Sequence, residues 1–172
     1  SGNKLYKLKY NLQAASRANK GTLLTFGGAF SNHIAAVAAA GKTYGFKTIG
    51  IIRGEKYEPL NPTLQFATDQ GMHLEYVSRE LYRQKEELMR YVKHKYGDTV
   101  FLIPEGGSNE LGILGCKEII RHIPVNFDHI CCACGTGTTL TGIILSLKSV
   151  QQALGIQVLK APDYIRQEIS RQ

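Results

Sequence analysis

The chain has 172 residues, 43% of them hydrophobic and 20% charged, and this ordinary globular composition argues against disorder. Its 21 Lys and Arg outnumber 14 Asp and Glu, which gives a formal charge of +7. The basic residues are scattered and interleaved with acids, so we predict no nucleic-acid partner. The sequence shows neither a secretory signal nor a run of 18 apolar residues, and we expect a cytoplasmic protein with no membrane partner.

The four cysteines lack the spacing that is typical of a metal site. Cys116, Cys131, Cys132 and Cys134 do not form paired C-x-x-C ligand sets, and three of them lie in or beside one apolar run. We therefore predict no metal site. The cysteines are expected to be buried thiols in a reducing compartment.

Helices and strands are predicted to alternate along the chain. Leu5, Leu8 and Leu12 recur at helical spacing, which predicts an amphipathic helix over 4–19 with Asn3 as its N-cap. The alternation that follows is typical of doubly wound α/β architecture with parallel sheets. Strands are predicted at 22–26, 47–53, 73–77, 100–103, 127–133 and 155–159. Further helices are predicted at 34–45, 62–67, 79–96, 110–120, after Gly142 and from Pro162.

Three loops rich in glycine, hydroxyls or amides follow predicted strands, at 27–33, 104–109 and 135–139. Ligands of doubly wound sheets bind outside the carboxyl ends of the strands, so we expect these loops to share a polar crevice. The loop at 135–139 leads into a helix and suits a phosphate, although an ordinary strand-to-helix turn has the same pattern. It lacks the Gly-Lys-Ser/Thr of a Walker A loop and the spacing of Gly-x-Gly-x-x-Gly.

One lysine could supply the reactive group of this crevice. No carboxylate pair, Cys/His dyad or metal cluster offers acid–base machinery there. Lys4 lies in the first turn of the predicted helix, where the helix dipole disfavours a second positive charge and so favours a free amine. A solvated lysine is the alternative at this position. A phosphate loop and a reactive lysine together favour pyridoxal 5'-phosphate (PLP) as the cofactor.

Four segments resemble the family of PLP enzymes that includes 1-aminocyclopropane-1-carboxylate deaminase and D-cysteine desulfhydrase. They are residues 1–8 (SGNKLYKL), 25–33 (TFGGAFSNH), 103–109 (IPEGGSN) and 133–138 (ACGTGT), in the family's order. The resemblance covers essentially the whole chain and implies a two-domain, tryptophan synthase β-like fold. Residues 7–118 would form the smaller domain, and residues 1–6 and 119–172 would belong to the larger one.

The resemblance also implies roles for individual residues. Lys4 would form the Schiff base with PLP, Asn32 would hydrogen-bond the ring oxygen of the cofactor, and Ser31 would lie beside the substrate carboxylate. Five consecutive residues would hold the phosphate: Gly135, Thr136, Gly137, Thr138 and Thr139.

Members of this family are longer than the chain at both ends. We therefore expect a fragment, or part of a longer protein, that is inactive alone because the family takes active-site tyrosines and the acidic partner of the pyridine nitrogen from beyond residue 172. Ser1 and Tyr6 stand where the family usually has Gly and Arg, and neither replaces a named catalytic group. The full-length protein would be a homodimer.

The predicted function is PLP-dependent chemistry on a small amino acid. D-cysteine or 1-aminocyclopropane-1-carboxylate would be converted to a 2-oxo acid and ammonia, by an enzyme that we assign to the lyases or hydrolases. Two alternatives stay open. One is a cysteine synthase-like enzyme of the same broad fold, and the other is a non-catalytic domain that binds the cofactor or another anion.

Overall fold

The computed structural model describes residues 2–158, which divide between two compact units. The first unit is Ser1–Gln13 with Gly106–Gln172, and the second is Ala14–Glu105. Helix α1 (Asn3–Arg17) begins in the first unit and ends in the second. The second unit is shorter at both ends than the predicted smaller domain over 7–118, because residues 7–13 of α1 contact residues 106–118 within the first unit. The predicted helix from Pro162 lies outside the described residues.

The second unit contains a four-stranded parallel sheet, which confirms the predicted α/β class. The strands are β1 (Thr22–Gly28), β2 (Lys47–Arg53), β3 (Met72–Val77) and β4 (Val100–Ile103). They lie in the order β3-β2-β1-β4, and every neighbouring pair is parallel. The carboxyl ends of all four strands therefore meet at one edge of the sheet.

Four helices follow the first three strands, and side-chain caps mark the start of three of them. Ser31, Asn61 and Ser78 each accept a hydrogen bond from a backbone N–H in the first turn of a helix. The prediction of a single helix over 79–96 is wrong, because Gln84 has non-helical backbone angles, with φ −83° and ψ 79°. The helices are α2 (Asn32–Tyr44), α3 (Pro62–Asp69), α4 (Arg79–Arg83) and α5 (Lys85–Tyr96).

The apolar core of the second unit includes a cluster that joins the sheet to α4 and α5. Its buried members come from alternating positions of the strands and from one face of the helices. This is expected because successive side chains of a strand point to opposite faces, whereas residues three or four apart share one face of a helix. They are Leu24, Phe26, Ile51, Val77, Tyr82, Leu88 and Val92.

A buried carboxylate joins β3 to α5. The side chain of Glu75 is 7% exposed and accepts hydrogen bonds from Tyr91, Tyr96 and Lys95, the last at 2.6 Å. Burial by itself raises the pKa of Glu75, but the hydrogen bonds from Lys95 and the two tyrosines outweigh it and hold the pKa below its usual range. The ionised carboxylate therefore stabilises the fold above the usual pKa of a glutamate, and this contribution is lost as the pH falls through its lowered value.

Within residues 2–158, the first unit contains two short α-helices and a parallel pair of strands besides the start of α1. They are α6 (Glu110–Cys116), β5 (His129–Cys134), α7 (Thr138–Ile144) and β6 (Gln152–Gln157). The predicted start of α7 after Gly142 is wrong, because the left-handed backbone of Gly137 (φ 76°) completes the turn and the helix begins at the next residue. Strand β6 starts earlier than predicted, where Gln152 N–H donates to the Asp128 carbonyl.

The three cysteines of β5 differ in exposure because side chains alternate along a strand, whereas Cys116 lies in α6. Cys134 and Cys116 are buried, Cys132 is half-buried and Cys131 is exposed, so the prediction of buried thiols is wrong for Cys131.

Among residues 2–158, no group of three or more His, Cys, Asp or Glu side chains could hold a metal ion. In the same part of the chain, no helix has both the length and the apolar character to span a membrane.

Candidate functional site

Two of the three predicted loops meet in the first unit. Thr138 Oγ1 donates to Ser108 Oγ at 2.8 Å and lies 3.1 Å from Thr136 Oγ1. Gly106 has a left-handed φ of 68°, and a Cβ atom added there would lie 2.8 Å from the Thr136 side chain. The close approach of residues 106–109 to the loop 135–139 therefore depends on a glycine at position 106.

A second lysine of α1, which the sequence did not single out, lies against both loops. Lys7 is only 4% exposed, and its Nζ donates to the Gly106 carbonyl at 3.1 Å and to Thr136 Oγ1 at 3.3 Å. It follows Lys4 by three residues, the spacing that places two side chains on one helix face. That spacing was the available signal, but a lysine among other charged residues is usually solvated.

Lys4 approaches the loop 135–139 through its neighbour Asn3. Asn3 Nδ2 donates to Thr139 Oγ1 at 2.8 Å, and Lys4 Nζ donates to Asn3 Oδ1 at 3.3 Å. The predicted role of Asn3 as the N-cap of α1 is wrong, because Asn3 is itself the first residue of the helix. Its amide instead links the start of α1 to the start of α7.

An asparagine pair fixes the turn of α1 that carries Lys7. Asn11 is fully buried, and its Nδ2 donates to the Lys7 carbonyl at 2.8 Å. Asn109 Nδ2 donates to Asn11 Oδ1 at 2.8 Å, and Asn109 Oδ1 accepts the Gly112 N–H that caps α6. Such a network gives each buried amide a partner and so sets the position of α1 against α6.

Both lysines have a lowered pKa, mainly because of desolvation, since Lys7 is buried and Lys4 is half-buried. Burial lowers the pKa of Lys4, while the neighbouring Cys116 thiol, when ionised, opposes the change. Burial, followed by the charge of Lys4, lowers the pKa of Lys7 to about 8, while nearby cysteines oppose it. From the sequence we predicted that the pKa of Lys4 is lowered, but we attributed the lowering to the helix dipole. Desolvation is the larger cause in the structure.

The pKa of Lys7 predicts how stability depends on pH. A lysine whose pKa is lower in the folded state than in the unfolded state destabilises the fold at any pH where the folded protein keeps it protonated. For Lys7 this destabilisation decreases as the pH rises from about 8 toward 10.5. We therefore expect the stability of Lys7→Met, measured relative to the wild type, to be higher below pH 8 than at pH 10. Urea unfolding of the cofactor-free proteins at several pH values measures this difference. A constant difference between the two proteins would contradict the lowered pKa.

The predicted phosphate-binding residues differ in how their side chains are used. Thr138 and Thr139 are buried, and their hydroxyls bond to Ser108 and Asn3, so they hold the shape of the loop. At Gly135 an added Cβ atom would meet no heavy atom within 4 Å. A glycine loop with adjacent hydroxyls and the Lys7 cation has the chemistry of a phosphate site, so these residues fit a phosphate group.

Ser31 and Asn32 belong to the second unit, at the carboxyl end of β1. Ser31 Oγ accepts the Ile34 N–H at 3.3 Å as the N-cap of α2, and Asn32 is exposed. A Cβ atom added at Gly27 would lie 2.7 Å from Ser31 Oγ and 2.6 Å from the Ile34 side chain. Glycine at this position therefore lets the loop fold closely against the end of β1.

Comparison with known proteins places the chain in a family. Residues 1–168 match the family model described as pyridoxal-phosphate dependent enzyme. A Thermotoga maritima protein provisionally named 1-aminocyclopropane-1-carboxylate deaminase is 34% identical over 184 residues, covering 99% of this chain and 58% of the relative. The mitochondrial bifunctional D-cysteine desulfhydrase/1-aminocyclopropane-1-carboxylate deaminase of Arabidopsis thaliana is 33% identical, covering 95% and 46%. The crystal structure of a homologue of the deaminase superposes with a TM-score of 0.82 at 29% identity, covering 99% and 55%.

The chain belongs to the family of pyridoxal-phosphate dependent enzymes. The predicted cofactor and the predicted tryptophan synthase β-like fold are confirmed by this match and by the structural superposition. The names of the relatives support the predicted lyase class and not the predicted hydrolase class. The chain spans about half the length of the relatives that it matches.

Proposed function

We propose that the protein is a PLP-dependent lyase that deaminates a small amino acid. With D-cysteine, one water is consumed and pyruvate, hydrogen sulfide and ammonia are released. With 1-aminocyclopropane-1-carboxylate, one water is consumed and 2-oxobutanoate and ammonia are released. The names of the Arabidopsis and Thermotoga relatives support this choice of substrates.

The observation that carries the proposal is the pair of lysines on one face of α1. Lys7 contacts Thr136 of the proposed phosphate loop, and Lys4 is connected to Thr139 of the same loop through Asn3. A PLP enzyme needs a cation-lined phosphate site and an amine with a lowered pKa near it. The first unit provides both within a single helical turn and the loop 135–139.

Each of these residues has a distinct part in the proposed chemistry. PLP, when bound, withdraws electrons from the α-carbon of an attached amino acid. Lys4 is the cofactor-bearing lysine, and its amine accepts the α-proton of D-cysteine as a general base, a role that its lowered pKa favours. Lys7 holds the phosphate by charge, together with the backbone of residues 135–139. Thr138 and Thr139 keep that loop in place through Ser108 and Asn3.

Two residues of the second unit complete the proposal. We assign the substrate carboxylate to Ser31 and the ring oxygen of the cofactor to Asn32, which is exposed at the start of α2. The support for these roles is the Ser-Asn-His motif at the carboxyl end of β1. A two-domain homodimer in the cytoplasm is part of the same proposal, and a reducing compartment suits the four free thiols, Cys116, Cys131, Cys132 and Cys134.

Turnover assays separate this function from the two alternatives. Here and in every turnover assay below, the protein is taken at the full length of its relatives. Saturated with PLP, it is expected to release pyruvate from D-cysteine or 2-oxobutanoate from 1-aminocyclopropane-1-carboxylate. A cysteine synthase-like enzyme would instead form cysteine from O-acetylserine and sulfide. A non-catalytic domain would bind PLP without turning over any of these substrates, and either result would contradict the proposal.

A further inference from the structure

A buried histidine joins the start of α2 to the sheet of the second unit. His33, the second residue of α2, is 3% exposed, and its Nε2 lies 2.9 Å from Thr25 Oγ1 in β1. Thr25 is fully buried, and its hydroxyl donates to the Ile103 carbonyl at 2.8 Å. Ile103 is the last residue of β4 and is paired with Thr25 in the parallel ladder. These contacts connect three elements near the carboxyl edge of the sheet.

The direction of these hydrogen bonds follows from the count of protons. A threonine hydroxyl has one proton, and a carbonyl can only accept. Because the Thr25 hydroxyl donates its hydrogen bond to the Ile103 carbonyl, it must accept a hydrogen bond from His33 Nε2–H. The neutral His33 ring therefore carries its hydrogen on Nε2.

Other buried side chains of α2 are apolar. Ile34, Val37 and Ala38 are fully buried, and apolar burial by itself has no direction. A directional bond between buried polar groups selects one register. The bond from His33 acts at the first turn, directly after Ser31 and Asn32, so it determines where those two residues lie relative to the ends of β1 and β4.

We propose that His33 is a positioning residue that holds Ser31 and Asn32 in their binding geometry through the chain His33–Thr25–Ile103. The inference rests on the proposed function, in which Ser31 binds the substrate carboxylate and Asn32 binds the cofactor ring. His33 itself contacts neither ligand in this account. It acts by fixing the first turn of α2 to the sheet.

Variants that keep or remove the Nε2 donor test this role. In His33→Gln, the side-chain amide nitrogen can occupy the place of Nε2 and donate to Thr25, whereas His33→Leu and Thr25→Val remove the bond. We expect the two disruptive variants to raise the KM for D-cysteine and the Kd for PLP by about tenfold, with a smaller change in kcat. The glutamine variant should stay close to the wild type. The double variant His33→Leu/Thr25→Val should be no worse than either single variant, because both remove one interaction.

Amide hydrogen exchange of residues 31–34 provides a readout that needs neither cofactor nor substrate. Exchange about tenfold faster in His33→Leu and Thr25→Val, but not in His33→Gln, supports the positioning role. A folded His33→Leu protein with unchanged exchange, KM and Kd would overturn it, as would a glutamine variant that behaves like the leucine variant. If the wild type neither binds PLP nor turns over D-cysteine, the proposed function fails, and the exchange rates alone still decide the role of His33.

Discussion

Replacement of Lys4 by alanine is expected to reduce turnover of D-cysteine or 1-aminocyclopropane-1-carboxylate by about 10³-fold or more. A general base contributes about 10²–10⁴-fold to a rate, and Lys4 is proposed to accept the α-proton of D-cysteine and, with either substrate, to bear the cofactor. Lys7 and the loop 135–139 are proposed to hold the phosphate, and the hydrogen bonds of Lys7 to Gly106 and Thr136 do not involve the Lys4 amine. PLP should therefore still bind the variant, with reduced affinity.

Lys4→Arg is the matched control for the charge of Lys4. A guanidinium keeps the positive charge but is not a nucleophile or a base near neutral pH. We expect the arginine variant to be as inactive as the alanine variant. Turnover close to the wild-type rate in either variant would show that another amine does this chemistry. Steady-state assays with PLP in excess, together with urea unfolding of both variants, separate loss of catalysis from loss of folding.

Replacement of Gly115 by alanine is expected to destabilise the protein by about 3 kcal/mol, at the upper end of the cost of overpacking. Gly115 lies in α6 at its contact with α1. An added Cβ atom would overlap the carbonyl oxygen of Tyr6 and lie 2.7 Å from its carbonyl carbon. Because the obstacle is backbone, the two helices must separate. For a chain of this length the melting temperature should fall by roughly 10 °C.

The same substitution should also weaken the binding of PLP, because Tyr6 lies between Lys4 and Lys7 in α1. A shift of this turn moves both lysines away from the loop 135–139. Gly21→Ala is the matched control, since a Cβ atom added at Gly21 meets no heavy atom within 4 Å. Thermal unfolding and a PLP titration measure the two effects. A Gly115→Ala protein as stable as Gly21→Ala would show that α1 and α6 are not packed as described.

Local sequence signals were sufficient for most elements of the second unit. The apolar runs at 22–26 and 47–53 predicted β1 and β2, because a strand buried on both faces needs continuous hydrophobic residues. Asn61 and Pro62 marked the start of α3 through their capping chemistry. The break at Gln84 had no such signal, since no proline or glycine interrupts the helical pattern there.

Tertiary contacts decide the features that the sequence did not predict. Lys7 tolerates burial because the carbonyl of Gly106, about a hundred residues later, accepts a hydrogen bond from its ammonium, and no local pattern encodes that contact. Likewise, Glu75 tolerates burial only because Lys95 and two tyrosines of α5 converge on it. The glycine loops and Lys4, by contrast, were predicted as site residues from signals within single segments. These signals are a glycine-rich turn after a strand and a lysine in the first turn of a helix.

Chemical trapping of the cofactor tests the central claim most directly. The protein is incubated with PLP, reduced with borohydride and digested, and the lysine that carries the added mass is located by mass spectrometry. Lys4 and Lys7 both have a lowered pKa, but the Lys7 ammonium donates to the Gly106 carbonyl and to Thr136. We expect the label on Lys4 in the wild type and its loss in Lys4→Ala. A label on Lys7 or on any other lysine of the wild type would contradict it.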